Sequence, residues 1–317
     1  MPYQQGTASG YLDLLSQLCT FLSSSTIMGT QAWTVLQNTT STFTADGEVY
    51  LKGPGLNGND GIYVTIKTYS VSASGIYQWI LQGAVGYNAN LAYNAQAGCI
   101  PPASLSAPRV PLLNSNMPYV FVANGRRFIV VACAGTVVES CCCGWITQYG
   151  PSGRWPEPLF IGGMTTSATV IPADTGAFVV DAGLRRLFYL LTTASSAAYL
   201  RGSDGTWKRL RIYSWGNYTG NMTPFFCVWP QSAMQATNLM APCVDGNYLM
   251  QQSQIVANEN QTHVLLGKMD GVFWVTGYAA GGSLSVGDII TQNGINYYVI
   301  NNTYRTGVDD FSAIALE

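Results

Sequence analysis

Beyond residue 32 the chain is punctuated by turn dipeptides, among them Asn57–Gly58, Asn124–Gly125, Asp204–Gly205, Asp270–Gly271 and Asn293–Gly294, set between short runs rich in Val, Ile, Thr, Tyr and Phe. No other feature restricts the fold as strongly. Asn–Gly and Asp–Gly enter the positive φ of tight hairpin turns at little steric cost, and the runs between them have the length of strands, not of helices. Ala32–Leu36 and Glu48–Leu51 are short candidates. Ile62–Val71 is a longer one, with Ile62, Val64, Ile66 and Thr68 on one face and Tyr63, Thr65, Lys67 and Tyr69 on the other. Ala73–Ser74–Gly75 turns it into Ile76–Tyr87, a hairpin partner. Tyr119–Ala123 and Arg126–Ala134 flank a primed turn at Asn124–Gly125, Val137–Tyr149 follows, and Pro151, Pro156 and Pro158 close the block.

The second half continues in short strands: Ala168–Ile171, Ala177–Val180, Leu187–Leu191, Trp207–Tyr213, Phe225–Trp229, Thr262–Lys268, Val272–Thr276, Ile289–Gln292, Asn296–Asn301 and Phe311–Leu316. Residues 231–250 read as irregular, with a helical option over Gln251–Ala257. Near the start, Tyr11, Leu12, Leu14, Leu15, Leu18, Phe21 and Leu22 recur at helical spacing, with Ser9 as N-cap, Asp13 in the first turn and Ser23–Ser25 ending the helix. The expected fold is mainly β: two antiparallel β-sandwich or barrel-like domains and one short N-terminal α-helix. The expected division is an N-terminal helical segment over 1–32, a first β domain over 33–165 and a second over 166–317. Within the first domain, 88–117 is a long loop rich in Asn, Ala, Pro and Ser, of the kind that carries function or lies in an interface.

Charge narrows the partners. Only 9% of the 317 residues are Asp, Glu, Lys or Arg, against roughly 25% in an average soluble protein. Ser, Thr, Asn, Gln, Gly and Tyr take their place, which suits a surface largely covered by other subunits. The net charge is −2, and the densest basic groups are Lys208, Arg209 and Arg211, with pairs at Arg126–Arg127 and Arg185–Arg186. None forms the basic stripe that neutralises phosphates, so no nucleic-acid partner is expected. No run reaches the roughly 20 apolar residues of a membrane helix. The N-terminus has no secretory pattern, so the expectation is a chain made in a reducing cytoplasm with free thiols.

No catalytic, cofactor-binding or metal-binding residues are assigned. The eight cysteines are Cys19, Cys99, Cys133, Cys141, Cys142, Cys143, Cys227 and Cys243, and no CxxC pair suggests zinc. On a strand Cys141, Cys142 and Cys143 alternate faces, so the three thiols cannot meet at one ion. His263 is the single histidine and reads as a strand residue, which leaves no serine or cysteine triad. Asp46, Glu48, Asp60, Asp270, Asp288, Asp309 and Asp310 lie in or beside turns, where Asp ties its own backbone. Gly162–Gly163 and Gly281–Gly282 lack the context of a phosphate loop. Trp145, Trp155, Trp207, Trp215 and Trp229 are the aromatic residues best suited to an interface or a sugar platform.

Seven blocks in order, Leu51–Gly55 (LKGPG), Ile62–Tyr69 (IYVTIKTY), Ile76–Tyr87 (IYQWILQGAVGY), Tyr119–Ala132 (YVFVANGRRFIVVA), Trp155–Gly163 (WPEPLFIGG), Met269–Tyr278 (MDGVFWVTGY) and Thr303–Leu316 (TYRTGVDDFSAIAL), resemble a family of tailed-phage and prophage virion proteins. The resemblance implies a structural subunit of the tail or baseplate region, assembled in the host cytoplasm and located in the virion. It transfers no catalytic residues. The Cys141–Cys143 run departs from the small and aromatic residues of that family's strand. Its expected partners are other tail or baseplate proteins and copies of itself in a ring, reached through the helix at 11–22 and the loop at 88–117. Alternatives are a neck or head-decoration protein, a receptor- or glycan-binding module at the tail tip with exposed Trp and Tyr around a shallow groove, and a tail-associated hydrolase.

Overall fold

The computed structural model describes residues 1–102, 106–172, 197–210, 225–229, 248–259, 262–275, 278–279, 282–301 and 311–316. In chain order its elements are β1 (Tyr3–Ala8), α1 (Tyr11–Ser23), the single turn α2 (Ser25–Met28), β2 (Thr34–Asn38), β3 (Glu48–Gly53), β4 (Ile62–Val71), β5 (Ile76–Ala84), β6 (Arg109–Leu112), β7 (Met117–Ala123), β8 (Arg127–Ala134), β9 (Val137–Trp145), β10 (Thr147–Gln148), β11 (Leu159–Gly162), β12 (Ala198–Arg201), β13 (Trp207–Arg209), β14 (Phe225–Trp229), β15 (Met250–Glu259), β16 (Thr262–Val275), β17 (Tyr278–Ala279), β18 (Gly282–Ser283), β19 (Ile289–Gln292), β20 (Ile295–Asn301) and β21 (Phe311–Ala315). The protein is mainly β, its strand pairs are antiparallel, and α1 is its one helix of more than a single turn among the described residues.

Three sheets stack in layers. The central sheet runs β1-β7-β8-β9-β11-β12-β13, the second β2-β3-β4-β5-β6, and the third β14-β15-β16-β21-β20-β19, with β10 added to β16. β17 and β18 pair separately. The central sheet takes strands from 1–32, from 33–165 and from 166–317 alike. Its side chains alternate between two cores. Tyr119, Phe121, Phe128, Val130, Cys141 and Cys143 enter one core with α1 and the second sheet. Val120, Val122, Ile129, Val131, Cys142 and Phe160 enter the other with Ile255, Trp274 and Ile314 of the third sheet. A strand covered on both faces has no polar side, which is why residues 128–134 form an unbroken apolar run.

The helix lies where its periodicity places it, and Leu14, Leu15, Leu18, Phe21 and Leu22 are fully buried. Its apolar face is occupied by the protein's own core. The cap differs from expectation. Gly10 holds the N-cap position without a side-chain bond, while the Ser9 amide and hydroxyl both donate to the Asp13 carboxylate, at 2.7 and 3.1 Å. Asp13 thus satisfies donors ahead of the helix and sits at the positive end of its dipole. β1 escaped the sequence reading because every residue but Ala8 is exposed or half-buried. Backbone pairing to β7 defines it.

Strands β4, β14, β19 and β21 fall at or within a residue of their expected bounds, and β5 starts at Ile76 as expected but ends at Ala84, three residues before Tyr87. Elsewhere the structure corrects the sequence. Gln251–Ala257 is strand, not helix: pairing on both sides by β14 and β16 overrides a weak local propensity. Asp270–Gly271 does not separate two strands, because β16 runs through it as a bulge. Gly271 takes φ +65°, and Gln252 Nε2 donates to the carbonyls of Met269 and Val272, at 2.6 and 2.9 Å, on either side of the bulge. Ala168–Ile171 is not strand. The Ser167 amide donates to Thr165 Oγ1 and the Thr169 amide to Ser167 Oγ, local bonds that compete with a ladder. Ala177–Val180, Leu187–Leu191 and residues 211–213 lie outside the described residues. No described helix is long and apolar enough to cross a membrane.

Candidate functional site

The long loop lies across the outer face of the second sheet instead of projecting from it. On β5, Trp79 and Leu81 point into the core, while Gln78, Ile80 and Gln82 point outward and are nonetheless buried. The loop covers Gln82, and the segment after β11 covers Gln78, whose Nε2 donates to the Val170 carbonyl at 2.8 Å. Gln82 acts as a substitute strand neighbour: its Nε2 donates to the Ile100 carbonyl at 3.0 Å and its Oε1 accepts from the Ile100 amide at 2.9 Å. Gln96, also buried, donates to the carbonyls of Asn88 and Leu91 and accepts from the Asn88 amide. Cys99 Sγ donates to the Asn94 carbonyl at 3.2 Å. From the central sheet, Trp207 Nε1 donates to the Gly98 carbonyl and the Tyr199 hydroxyl to the Ser106 carbonyl, both at 2.9 Å. The loop also contains β6, which the sequence reading did not separate from it.

Between this loop, β5 and β6 lies an open cleft of about 170 Å³. Ile80 and Gln82 form part of its lining, together with Tyr93, Asn94, Ser106, Arg109 and Thr166. Arg109 starts β6 opposite Ile80. Its amide donates to the Thr165 carbonyl at 2.7 Å, and its own carbonyl accepts from Met164 and Thr165. A Cβ on Gly163 would press on the Arg109 backbone, so glycine there permits the segment after β11 to lie along β6. The Arg109 guanidinium donates to Gln78 Oε1 at 2.9 Å and lies 5.5 Å from the centre of the Tyr69 ring. No carboxylate of the described residues pairs with it. Burial lowers its pKa, and Tyr93 and Tyr69 oppose that shift. Tyr93 also has Lys67 Nζ 4.8 Å from its ring centre. Lys67 is itself paired with Glu48 at 3.3 Å.

The residues singled out from sequence lie elsewhere. Cys141 and Cys143 face one core and Cys142 the other, as a strand requires. Burial pushes the Cys142 thiol up to about 12, against the opposing pull of Arg127, and raises that of Cys143 well above its ordinary value. Cys19 is buried in α1 and pushed to about 12 for the same reason. Cys133 lies beside the Tyr298 hydroxyl and its pKa is raised by burial. His263 stands on β16 opposite Asn258. Among the described residues, no three His, Cys, Asp or Glu side chains come together as a metal site.

The carboxylates serve turns and strand ties. Asp46 accepts from the hydroxyls of Tyr11 and Ser70, Asp288 closes a turn onto the Ser285 amide at 2.7 Å, and Asp270 accepts from Thr147. Asp309, Asp310, Cys243 and Trp215 lie outside the described residues. Trp155 is buried and donates to the Arg201 carbonyl, and Trp145 packs against the first core. On the outer face of the second sheet Tyr50 and Tyr87 meet at 5.2 Å. The residue the sequence reading missed is Arg109. Its signal was isolation, since it is the one charged residue between 88 and 117. Compared with known proteins, the chain matches no family model and no curated protein.

Proposed function

We propose that the protein is a structural subunit of a tailed-phage particle, from the tail or baseplate region, acting through contacts with neighbouring proteins and with copies of itself. The observation that carries this reading is the 9% charged fraction of a 317-residue chain. A free protein with so little charge has weak electrostatic protection against association, whereas a subunit covered by neighbours needs little. The order of the seven sequence blocks points the same way. The neutral, tyrosine-rich surface suits polar interfaces built around aromatic anchors. Since α1 is packed into the core, the exposed positions of the covering loop, from Asn88 to Ala92, and strand β1, at the edge of its sheet among the described residues, are the surfaces offered to neighbours. Copies related by the rotational symmetry of a tail would close a ring. The test is electron microscopy of purified particles with subunit assignment. The expected result is density for this chain in a ring about the tail axis, with residues 88–92 against a neighbour. Its absence from purified particles would overturn the reading.

A further inference from the structure

The cleft above the second sheet is lined by polar residues whose side chains the other described residues leave largely unused. Of the five N–H donors of a guanidinium, Arg109 commits one to Gln78. Tyr93, Asn94, Ser106 and Thr166 line the same space, and their side chains make no hydrogen bond to the described residues. Among the described residues that line it Arg109 is the only charged one, and Lys67 beyond Tyr93 is held by Glu48. The cleft therefore favours an anion, and a planar guanidinium favours a carboxylate that can take two parallel hydrogen bonds. A bare carboxylate would satisfy the cation and leave the ring of neutral donors and acceptors without partners. A ligand that carries hydroxyls beside its acid group would engage both. Size sets the remaining limit: about 170 Å³ is below the roughly 300–1,000 Å³ of pockets for drug-sized ligands, so a single ring fits and an oligomer does not.

We propose that this cleft binds one acidic sugar residue, with its carboxylate on Arg109, its ring against the Tyr93 side chain and its hydroxyls on Asn94, Ser106 and Thr166. The site does not depend on assembly of the chain into a particle, so it stands or falls separately from the subunit reading. Its parts come from three places in the sequence, brought together by the covering loop, by β6 and by the segment after β11. Gln82 and Gln96 hold the loop so that the cleft exists before a ligand arrives, which limits the ordering that binding would otherwise require.

The test is calorimetric titration of the full chain with D-glucuronate, N-acetylneuraminate, D-glucose and acetate. At least one of the two acidic sugars is expected to bind about tenfold or more tightly than glucose or acetate, the worth of a charge-assisted hydrogen bond added to a neutral set. Arg109→Gln should remove that advantage, and Asn94→Ala, outside every strand, should weaken the acidic sugar several-fold without changing the thermal midpoint. If Arg109→Gln fails to fold, Asn94→Ala and Thr166→Val decide. Acidic sugars binding no more tightly than acetate, or binding unchanged in these variants, would overturn the proposal. The first outcome would leave only a carboxylate site, such as a side chain from a neighbouring protein would occupy.

Discussion

The two faces of the central sheet are built differently although they share the same strands. The face toward α1 and the second sheet is aromatic: Phe21 meets Phe121 at 5.8 Å, Tyr119 stacks on Phe121 at 4.1 Å, and Trp33 meets Phe128 edge-on at 5.3 Å. The opposite face is chiefly aliphatic, with Val120, Val122, Ile129 and Val131 against the third sheet. A helix and a twisted sheet leave an uneven gap that flat rings fill, while two sheets packed face to face are filled by β-branched residues standing on each pleat. The difference teaches that one strand can serve two cores of unlike shape, because neighbouring residues never share a face. The most direct attempt to break this comparison is a pair of adjacent substitutions, Val130→Asp and Val131→Asp. Each buries a carboxylate, at a penalty of several kcal/mol, and each should abolish the folded state, read by circular dichroism and soluble yield. Were one face open to solvent, one member of the pair would fold normally.

A second test keeps the chemistry the same and changes only the face. Phe128 and Phe160 are both buried, on opposite sides of the central sheet. Truncating a buried phenylalanine to alanine costs about 3–5 kcal/mol. Phe128 also loses its edge-on contact with Trp33, a ring pair worth about 0.5–1.5 kcal/mol beyond buried area, and Phe160 has no ring partner among the described residues. Phe128→Ala should therefore be the more damaging, by about that margin, in urea unfolding of the two variants. Equal losses would mean that the aromatic face gains nothing from its ring geometry.

How much of this was legible follows from the same two-sidedness. Strands with one polar face, such as Ile62–Val71, gave both their bounds and their orientation, because alternation is visible in the residues themselves. In β7 and β8 the strands were legible but the division between two cores was not, since both faces are apolar. β1 was illegible for the opposite reason, having almost no apolar face. The candidate site was less visible still. Arg109, Asn94 and Thr166 become neighbours only once Gln82 and Gln96 have drawn the loop over β5, and no local pattern encodes that.

Buried thiols on the two faces give a third, smaller effect. Cys19 belongs to the aromatic core and Cys142 to the aliphatic one, and burial pushes each up to about 12. The unfolded chain ionises a thiol near ~8.5. A folded pKa above the unfolded one leaves stability intact below that pH and drains it as pH rises toward the folded value, because the unfolded state sheds its proton first. The urea midpoint should hold up to about pH 8 and fall from there toward pH 11. Cys19→Ala and Cys142→Ala should each flatten that fall. A variant with the full alkaline slope would show its thiol to be accessible to water, and its face of the sheet to be the less tightly closed.

The smallest effect comes from two Asn–Gly turns that read alike in sequence. At Asn293–Gly294 both residues have positive φ, 54° and 78°, and Gln292 pairs directly with Ile295, as the primed two-residue turn requires. At Asn124–Gly125 neither residue is in the left-handed region. There the Asn124 amide donates to the Arg127 carbonyl, while Asn124 Oδ1 accepts from the amides of Arg126 and Arg127, at 2.8 and 3.1 Å, so the turn is centred one residue later. The cause is packing. Gly125 donates to Gln31 and accepts from the Gly55 amide at 2.8 Å, and a Cβ on Gly125 would overlap the Gly55 carbonyl. One glycine is needed for its backbone angle and the other for close approach. Gly125→Ala should therefore cost about 1–3 kcal/mol through overpacking against backbone, and the loss should shrink little when Asn124 is also changed. Gly294→Ala should cost about 1–2 kcal/mol through its left-handed angle alone, since nothing lies within 4 Å of the added methyl. Replacing Gly294 with D-alanine in a semisynthetic chain should recover that loss, because a D residue prefers the positive φ. If D-alanine gives no recovery, space and not backbone angle holds Gly294, and the two turns differ only in where they sit.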